Sequence, residues 1–323
     1  MSRAGYDGIL VDHDTTPNLR VSVLNDSLHD NGRFGVQDYQ SAVAGPRWTV
    51  ISGIRAEDNV VGGIYTNRAA DVTITGNQVS NTATGLGVIG VGVELGYDDT
   101  ITKNSVSHMR QFGIQAYFNN ETTISDNYSG FNSGSSDQSG ITNDHSFHDT
   151  ISGNTIVSNG RDGIHVEASS FVTVSGNVAV NNGQNGIELF HGAMPSIGNE
   201  TISGNLCSSN AEAGIILNSV VDSVVTTNRC FDNSGPGIIL YNDPGQFGSA
   251  HDRVIDNWSG DERLLGTTQT YGIWEQNQAD HNAITSNFAC NNTVTDVAIV
   301  GPSTIAAANS DCSFGAAPLK QGR

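Results

Sequence analysis

The chain has 323 residues, of which 33 are Asp or Glu, 14 are Lys or Arg and 38 are Gly, and its formal charge is −19. A hydrophobic fraction of 37%, with no apolar run near the roughly 18 residues of a spanning helix, rules out a helical membrane protein. Fourteen scattered basic residues argue against a phosphate-tracking nucleic-acid face, and regularly spaced Val, Ile and Leu argue against disorder.

Taken in chain order, one phrase recurs from the start: Gly followed by an apolar residue. It stands at Gly8-Ile9, Gly35-Val36, Gly63-Ile64, Gly92-Val93, Gly113-Ile114, Gly140-Ile141, Gly163-Ile164, Gly186-Ile187, Gly214-Ile215, Gly237-Ile238 and Gly272-Ile273. A second phrase, of the form V/T-T-I-S/T-G-N, alternates with it from Val72–Asn77 to Ala283–Asn287. Its Asn residues fall at 77, 104, 127, 154, 177, 205, 228, 257 and 287, in steps of 23 to 30. Each repeat holds two or three short strands of period 2, joined at Gly and Asn turns. A period of this length without helical spacing predicts an all-β fold, a single-stranded parallel β-helix of about 11 coils, because one coil cannot bury its apolar side chains alone. The leucine-rich-repeat framework L-x-x-L-x-L is missing. The repeated Asn reads as an internal ladder, each amide bonding to the next coil. The β-helix is expected over 1–302 and an Ala-, Ser- and Gly-rich closing tail over 303–323. The first coil begins almost at the N-terminus, which reads as a fragment of a longer chain or an end covered by another subunit; the sequence leaves the oligomeric state open.

The repeat predicts which side chains face where. In Gly-Ile-x-Val, Ile164 and Val166 face inward, and His165 and Glu167 face outward and are expected to be exposed. A second core column runs through Val79, Val106, Ile156, Ala179, Cys207 and Cys230, so Cys207 and Cys230 stack as buried small side chains on adjacent coils. Cys290 and Cys312 form a candidate C-terminal staple. Four cysteines without C-x-x-C do not read as a zinc site.

The outward second and fourth positions after each Gly form columns on one face. Their densest stretch joins Asp144, His145, His165, Glu167, Glu188 and His191, with Arg161 just ahead, within roughly 10 Å if the coils stack at the strand spacing. Crowded carboxylates and imidazoles shift one another's pKa, which suits acid–base catalysis. The same carboxylates are able to hold Ca²⁺ through oxygen, although the sequence requires no cofactor, and a solvated acidic face is the third reading. Glu94, Gln115, Tyr117, Tyr241, Arg110 and Arg161 flank this stretch as candidate substrate-binding residues, the aromatic rings being suited to stack on sugars. A second cluster is Asp12, His13 and Asp14, with Asp38 and Tyr39 one coil later.

The repeat is similar to that of the pectin-lyase-like β-helix superfamily, and two segments resemble the catalytic module of mannuronan C5-epimerases. His29-Asp30-Asn31-Gly32-Arg33-Phe34-Gly35 with Asp38-Tyr39 resembles that family's H-D-N-G-x-x-G…D-Y. Thr270-Tyr271-Gly272-Ile273-Trp274-Glu275-Gln276-Asn277 resembles T-Y-G-I-x-E-x-N. The resemblance implies a right-handed winding and an enzyme that removes the proton beside a sugar carboxylate. The family's Y-G-F-D-P-H signature does not occur; Tyr6, Asp12 and His13 are the nearest counterparts, at altered spacing, and Asp38 would match the acid of the next coil.

The functional expectation is a carbohydrate-active enzyme on a polysaccharide or oligosaccharide, a uronan lyase or C5-epimerase. A non-catalytic glycan-binding β-helix and a glycoside hydrolase using paired carboxylates are the alternatives. Only Lys103 and Lys320 are present, so a Lys base is disfavoured. The charge of −19 also opposes a polyanionic substrate, within the limits of salt screening. Secretion is expected, although no signal sequence opens the chain.

Overall fold

In a computed structural model, described here for residues 5–12, 20–39, 48–82, 87–133, 138–191, 198–242, 248–263, 266–276 and 278–311, the chain winds as a right-handed parallel β-helix. Two sheets carry 12 strands and the third 11, and every strand pairs with its counterpart three strands on. The first sheet runs from Ile9–Asp12 through Ile141–Asp144, Ile164–Glu167 and Ile187–Phe190 to Thr295–Ala298. The second collects the T-I-S strands, such as Thr150–Ser152 and Thr173–Ser175, and the third the short strands after each Asn, such as Thr155–Val157. The second sheet's last strand, Ile305–Ala307, pairs with Ala283–Thr285 and lies inside the stretch expected as tail.

The interior is built from in-register columns. Ile141, Ile164, Ile187 and Ile215 are fully buried partners in the first sheet, and Ile124, Ile151, Val174 and Ile202 in the second. The expected core column also stands, with Cys207 opposite Cys230, both buried free thiols. Cys290 is disulfide-bonded, and Cys312, its expected partner, lies outside the described residues.

The Asn phrase forms the internal ladder. Asn154 donates its side-chain amide to Oδ1 of Asn177 at 2.9 Å and to the Ile124 carbonyl at 2.9 Å, while its own Oδ1 accepts from the backbone and side chain of Asn127. The pattern repeats from Asn77 to Asn309. A second amide ladder, which the sequence reading did not find, links Asn132, Asn159, Asn182, Asn210 and Asn233 at the opposite corner.

The repeated Gly has a different role from the turn first read. At Gly163 a Cβ would lie 2.5 Å from the Gly186 carbonyl oxygen and 3.0 Å from the Ala179 methyl; the residue is required by close approach of successive coils, not by a left-handed turn.

The three corners differ in length. From the second sheet to the third, the link is constant: Thr150 to Thr155 spans the same number of positions as Thr201 to Leu206. Extra residues fall only in the two corners bordering the first sheet, as in Phe190 to Thr201 against Glu167 to Thr173.

Candidate functional site

The outer face of the first sheet carries two columns. One runs Gln115, Thr142, His165, Glu188, Ile216, Ile239; the other runs Tyr117, Asp144, Glu167, Phe190, Asn218, Tyr241. Glu94 pairs with Tyr117 and so belongs to the second of these, not the first, where its count from Gly92 had placed it. The string Gly90-Val91-Gly92-Val93 offers two glycines two apart; the structural repeat residue is Gly90, and a slip of two preserves facing while moving the column.

His165 points away from the apolar core, as its strand position requires, but it is buried rather than exposed. Its neighbours roof it over. Nδ1 lies 3.0 Å from Oε2 of Glu188 and 3.4 Å from Oδ2 of Asp162, and Nε2 lies 3.2 Å from Oε2 of Glu167. Arg161 closes the cluster, donating to Glu188 at 3.2 Å and to Gln184 at 3.1 Å, with Nε 3.1 Å from Asp162. Asp162 escaped the sequence reading because D-G resembles the neighbouring N-G turns; the signal was an acid where the next coil has Asn185. Asn185 itself donates to Asp162 from its backbone and side chain.

The electrostatics follow. Burial alone would depress the His165 pKa, but hydrogen bonds to Asp162, Glu167 and Glu188 reverse this and hold it well above the ordinary imidazole value. This shift favours the imidazolium form of His165. Its hydrogen bond lowers Glu167. Asp144, one coil back from Glu167, is raised instead, chiefly by burial and further by the Glu167 charge, against the opposing hydrogen bond of His145. Glu188 is raised by burial, against His165. Burial raises Tyr117, and Asp144, Glu94 and Glu167 add to the shift.

Asp144, Arg161, His165 and Glu167, with Phe112, Gln115, Ser139 and Thr142, line a depression of about 140 Å³. His145 stands at its edge, Nδ1 2.5 Å from Asp144 Oδ1, with Tyr117 and Phe118 edge-on at a ring-centroid distance of 4.5 Å. Not every candidate converges here. His191 turns inward to Glu200, 3.3 Å away, where both are buried. Tyr241 stands three coils beyond Glu167, and Arg110 is exposed outside the depression. Of the second cluster, Asp12 pairs with Tyr39, but Asp38 faces the interior, where Thr49 donates to it at 2.8 Å; His13 and Asp14 lie outside the described residues. Asp38 occupies an inward position of its strand, which removes it as an outer-face acid.

No curated protein matches the chain. Among solved structures, the Dettilon tailspike protein is similar with a TM-score of 0.61 and 17% identity, over 90% of this chain and 62% of its own length. The A-module of the Azotobacter vinelandii mannuronan C-5 epimerase AlgE4 gives 0.61 and 15%, over 90% and 91%. The catalytic domain of an alpha-1,3-glucanase gives 0.56 and 13%, over 91% and 64%. These likenesses show the shared β-helix fold. The family described as "Periplasmic copper-binding protein (NosD)" matches residues 35–192 and again 130–306, two overlapping passes along one repeat. Between them the two matches take in most of the solenoid, and the chain belongs to the NosD family.

Proposed function

We propose that the protein is a carbohydrate-active enzyme that cleaves glycosidic bonds in a polysaccharide lying along the outer face of the first sheet. Asp144 is the general acid and Glu167 the nucleophile. The observation that carries this reading is the opposite displacement of two register neighbours: burial raises Asp144 while the His165 hydrogen bond lowers Glu167. Two carboxyls pushed apart in pKa divide naturally into a proton donor and an ionised partner. They are register partners on strands one coil apart, about 4.8 Å, a spacing that permits the roughly 5–5.5 Å carboxyl separation of a retaining pair. His165, with both ring nitrogens committed to carboxylates, is a positioning residue and not a base. The solved structures with this fold include an alpha-1,3-glucanase, which makes the chemistry compatible with the scaffold.

Removal of the proton beside a uronate carboxylate is the second reading, favoured by Tyr117 and His145 beside Asp144. It needs a cation to neutralise the uronate, and Arg161 is already spent on Glu188 and Asp162. Incubation with neutral glucans and with alginate and pectin separates the two. New reducing ends without the unsaturated-uronate absorbance support hydrolysis, and unsaturated or epimerised uronates overturn it.

The copper in the family's description does not suit the residues present. Asp162, His165 and Glu188 are the group whose ligand atoms lie within 4.8 Å of one another among the described residues. They offer one imidazole, favoured in its protonated form and shared among carboxylates, and two hard oxygen ligands, whereas copper favours several imidazoles or soft sulfur. The guanidinium of Arg161 supplies the positive charge that an ion, Ca²⁺ included, would bring. The mechanism uses no metal. The setting is extracytoplasmic: the family's description is periplasmic, and the disulfide at Cys290 suits an oxidising compartment.

A further inference from the structure

The corner between the first and second sheets is short and uniform for consecutive coils beside the candidate site. Asn67 to Thr73, Glu94 to Thr100, Tyr117 to Thr123, Asp144 to Thr150 and Glu167 to Thr173 span the same number of residues, and backbone bridges Ala70↔Tyr97↔Asn120↔Phe147↔Ser170 hold them in register. Long corners bound this stretch on both sides, after Tyr39 and after Phe190. The corner is therefore a flat ledge, roughly 19 Å long for four coil rises.

Aromatic rings furnish the ledge. Tyr97 is 38% exposed, Phe118 44%, Phe147 47% and Phe171 50%. Phe118 and Phe171 sit at φ 53° and 57°, left-handed corner positions that neighbouring coils fill with Leu95 and His145 in the first case and with Asp98, Glu121 and His148 in the second. Phe171 stacks on His148 at 5.1 Å, and Phe118 touches both Tyr117 at 4.5 Å and His145 at 4.7 Å, so the ledge is continuous with the depression around Asp144.

We propose that this ledge is a glycan-binding subsite, on which Phe147, Phe171, Phe118 and Tyr97 stack against the pyranose rings of a neutral polysaccharide as it leaves the acid pair and crosses the corner. Stacking uses the apolar face of a sugar and tolerates any hydroxyl pattern at the rim. The column that runs through His148 to Phe171 begins with Asp71, Asp98 and Glu121, three acids that disfavour an anionic chain. The inference rests on the proposed function for its direction, but its test is separable.

The test uses Phe147→Ala, Phe171→Ala and the double variant of the full chain. Phe131→Ala is the control, since Phe131 is equally exposed, has φ 58° and stacks on His108, but lies on the opposite corner. Affinity for hydroxyethylcellulose, galactomannan, an α-1,3-glucan and alginate is measured by affinity electrophoresis, and hydrolysis is measured on a short oligosaccharide of each neutral polymer. The expected result is binding of a neutral polymer by the wild type, weakened at least about tenfold in the double variant and unchanged in Phe131→Ala. Binding without turnover supports the ledge while removing the hydrolytic reading. Turnover of the short substrate with unchanged polymer affinity in the double variant overturns the ledge alone. Equal losses in Phe131→Ala, preference for alginate, or no polymer bound by the wild type also overturn it.

Discussion

The Nε2 of His165 lies 3.2 Å from Oε2 of Glu167, two residues further along the same strand, while its Nδ1 faces Glu188 on the next coil. One buried imidazole thus favours the charged form of the half-buried Glu167 and bridges the two buried acids, Asp162 and Glu188. Replacing it should separate the structural from the chemical part of that work.

His165→Gln should cost about 3 kcal/mol of unfolding free energy near pH 6, because it leaves Arg161 as the one cation paired with the buried Asp162 and Glu188. The sign of the pH dependence follows from the raised pKa. The folded state holds the proton more tightly, so the contribution is complete below the unfolded value of about 6.5. It declines as pH rises from there through the folded value. Urea unfolding on the acid and alkaline sides of that value should show this slope in the wild type and a flatter one in the variant.

Glu167→Gln should lower turnover by at least about 10³-fold, with substrate affinity retained, as loss of a nucleophile does. The wild-type pH–rate profile should be bell-shaped with an acid optimum. Its acid limb reports Glu167, lowered by His165, and its alkaline limb reports Asp144, raised by burial. An alkaline optimum would contradict the assignment of roles. Initial rates of reducing-end release across the acid and neutral range make the measurement.

Asp252→Asn should stabilise the protein. Oδ1 of Asp252 accepts from the Ser223 amide at 2.9 Å, but Oδ2 is buried without a hydrogen-bond partner among the described residues. Burial pushes its pKa well above the ordinary value, and Glu200 adds to the shift. With the folded pKa raised, the native state loses stability as pH rises above the unfolded value of about 3.9. Asn keeps the bond to Ser223 and carries no titration, as its neighbour Asn282 already does. A gain of about 1–3 kcal/mol at neutral pH, shrinking as the solution is acidified, is expected in chemical denaturation.

Asn154→Ala, in the middle of the interior ladder, should destabilise by about 3 kcal/mol, since it removes side-chain bonds in both directions along the ladder, takes the acceptor from the buried Asn127 backbone N–H and takes the side-chain donor from the Ile124 carbonyl. Asn309→Ala, at the ladder's end, affects Asn287 and the Ile284 carbonyl but no further coil, at a part-buried position, and should cost less. The same urea titration compares them.

The winding of the chain is legible in its letters because a solenoid converts sequence period directly into spatial neighbours. The Asn ladder, the inward Ile164 and the stacked Cys207 and Cys230 all follow from counting. What counting misses is set across coils rather than along them. His165 faces outward by parity yet is enclosed, because Arg161 and Glu188 reach over it from either side. Asp162 passes as a turn residue until Asn185 and His165 are seen to bond to it. His191 leaves the site because the corner after Phe190 carries it in toward Glu200. In each case a deciding partner stands on the next coil or across a long corner, a separation that no local pattern encodes.

The unequal corners give the protein two independent parts. Because the second-to-third link never varies while both borders of the first sheet do, the lengths of those borders are free to change without disturbing the interior amides. Grafting longer or shorter borders at the junction following Phe190 or preceding Gly140 is thus a route to retune what docks there, leaving the spine of the molecule as scaffold.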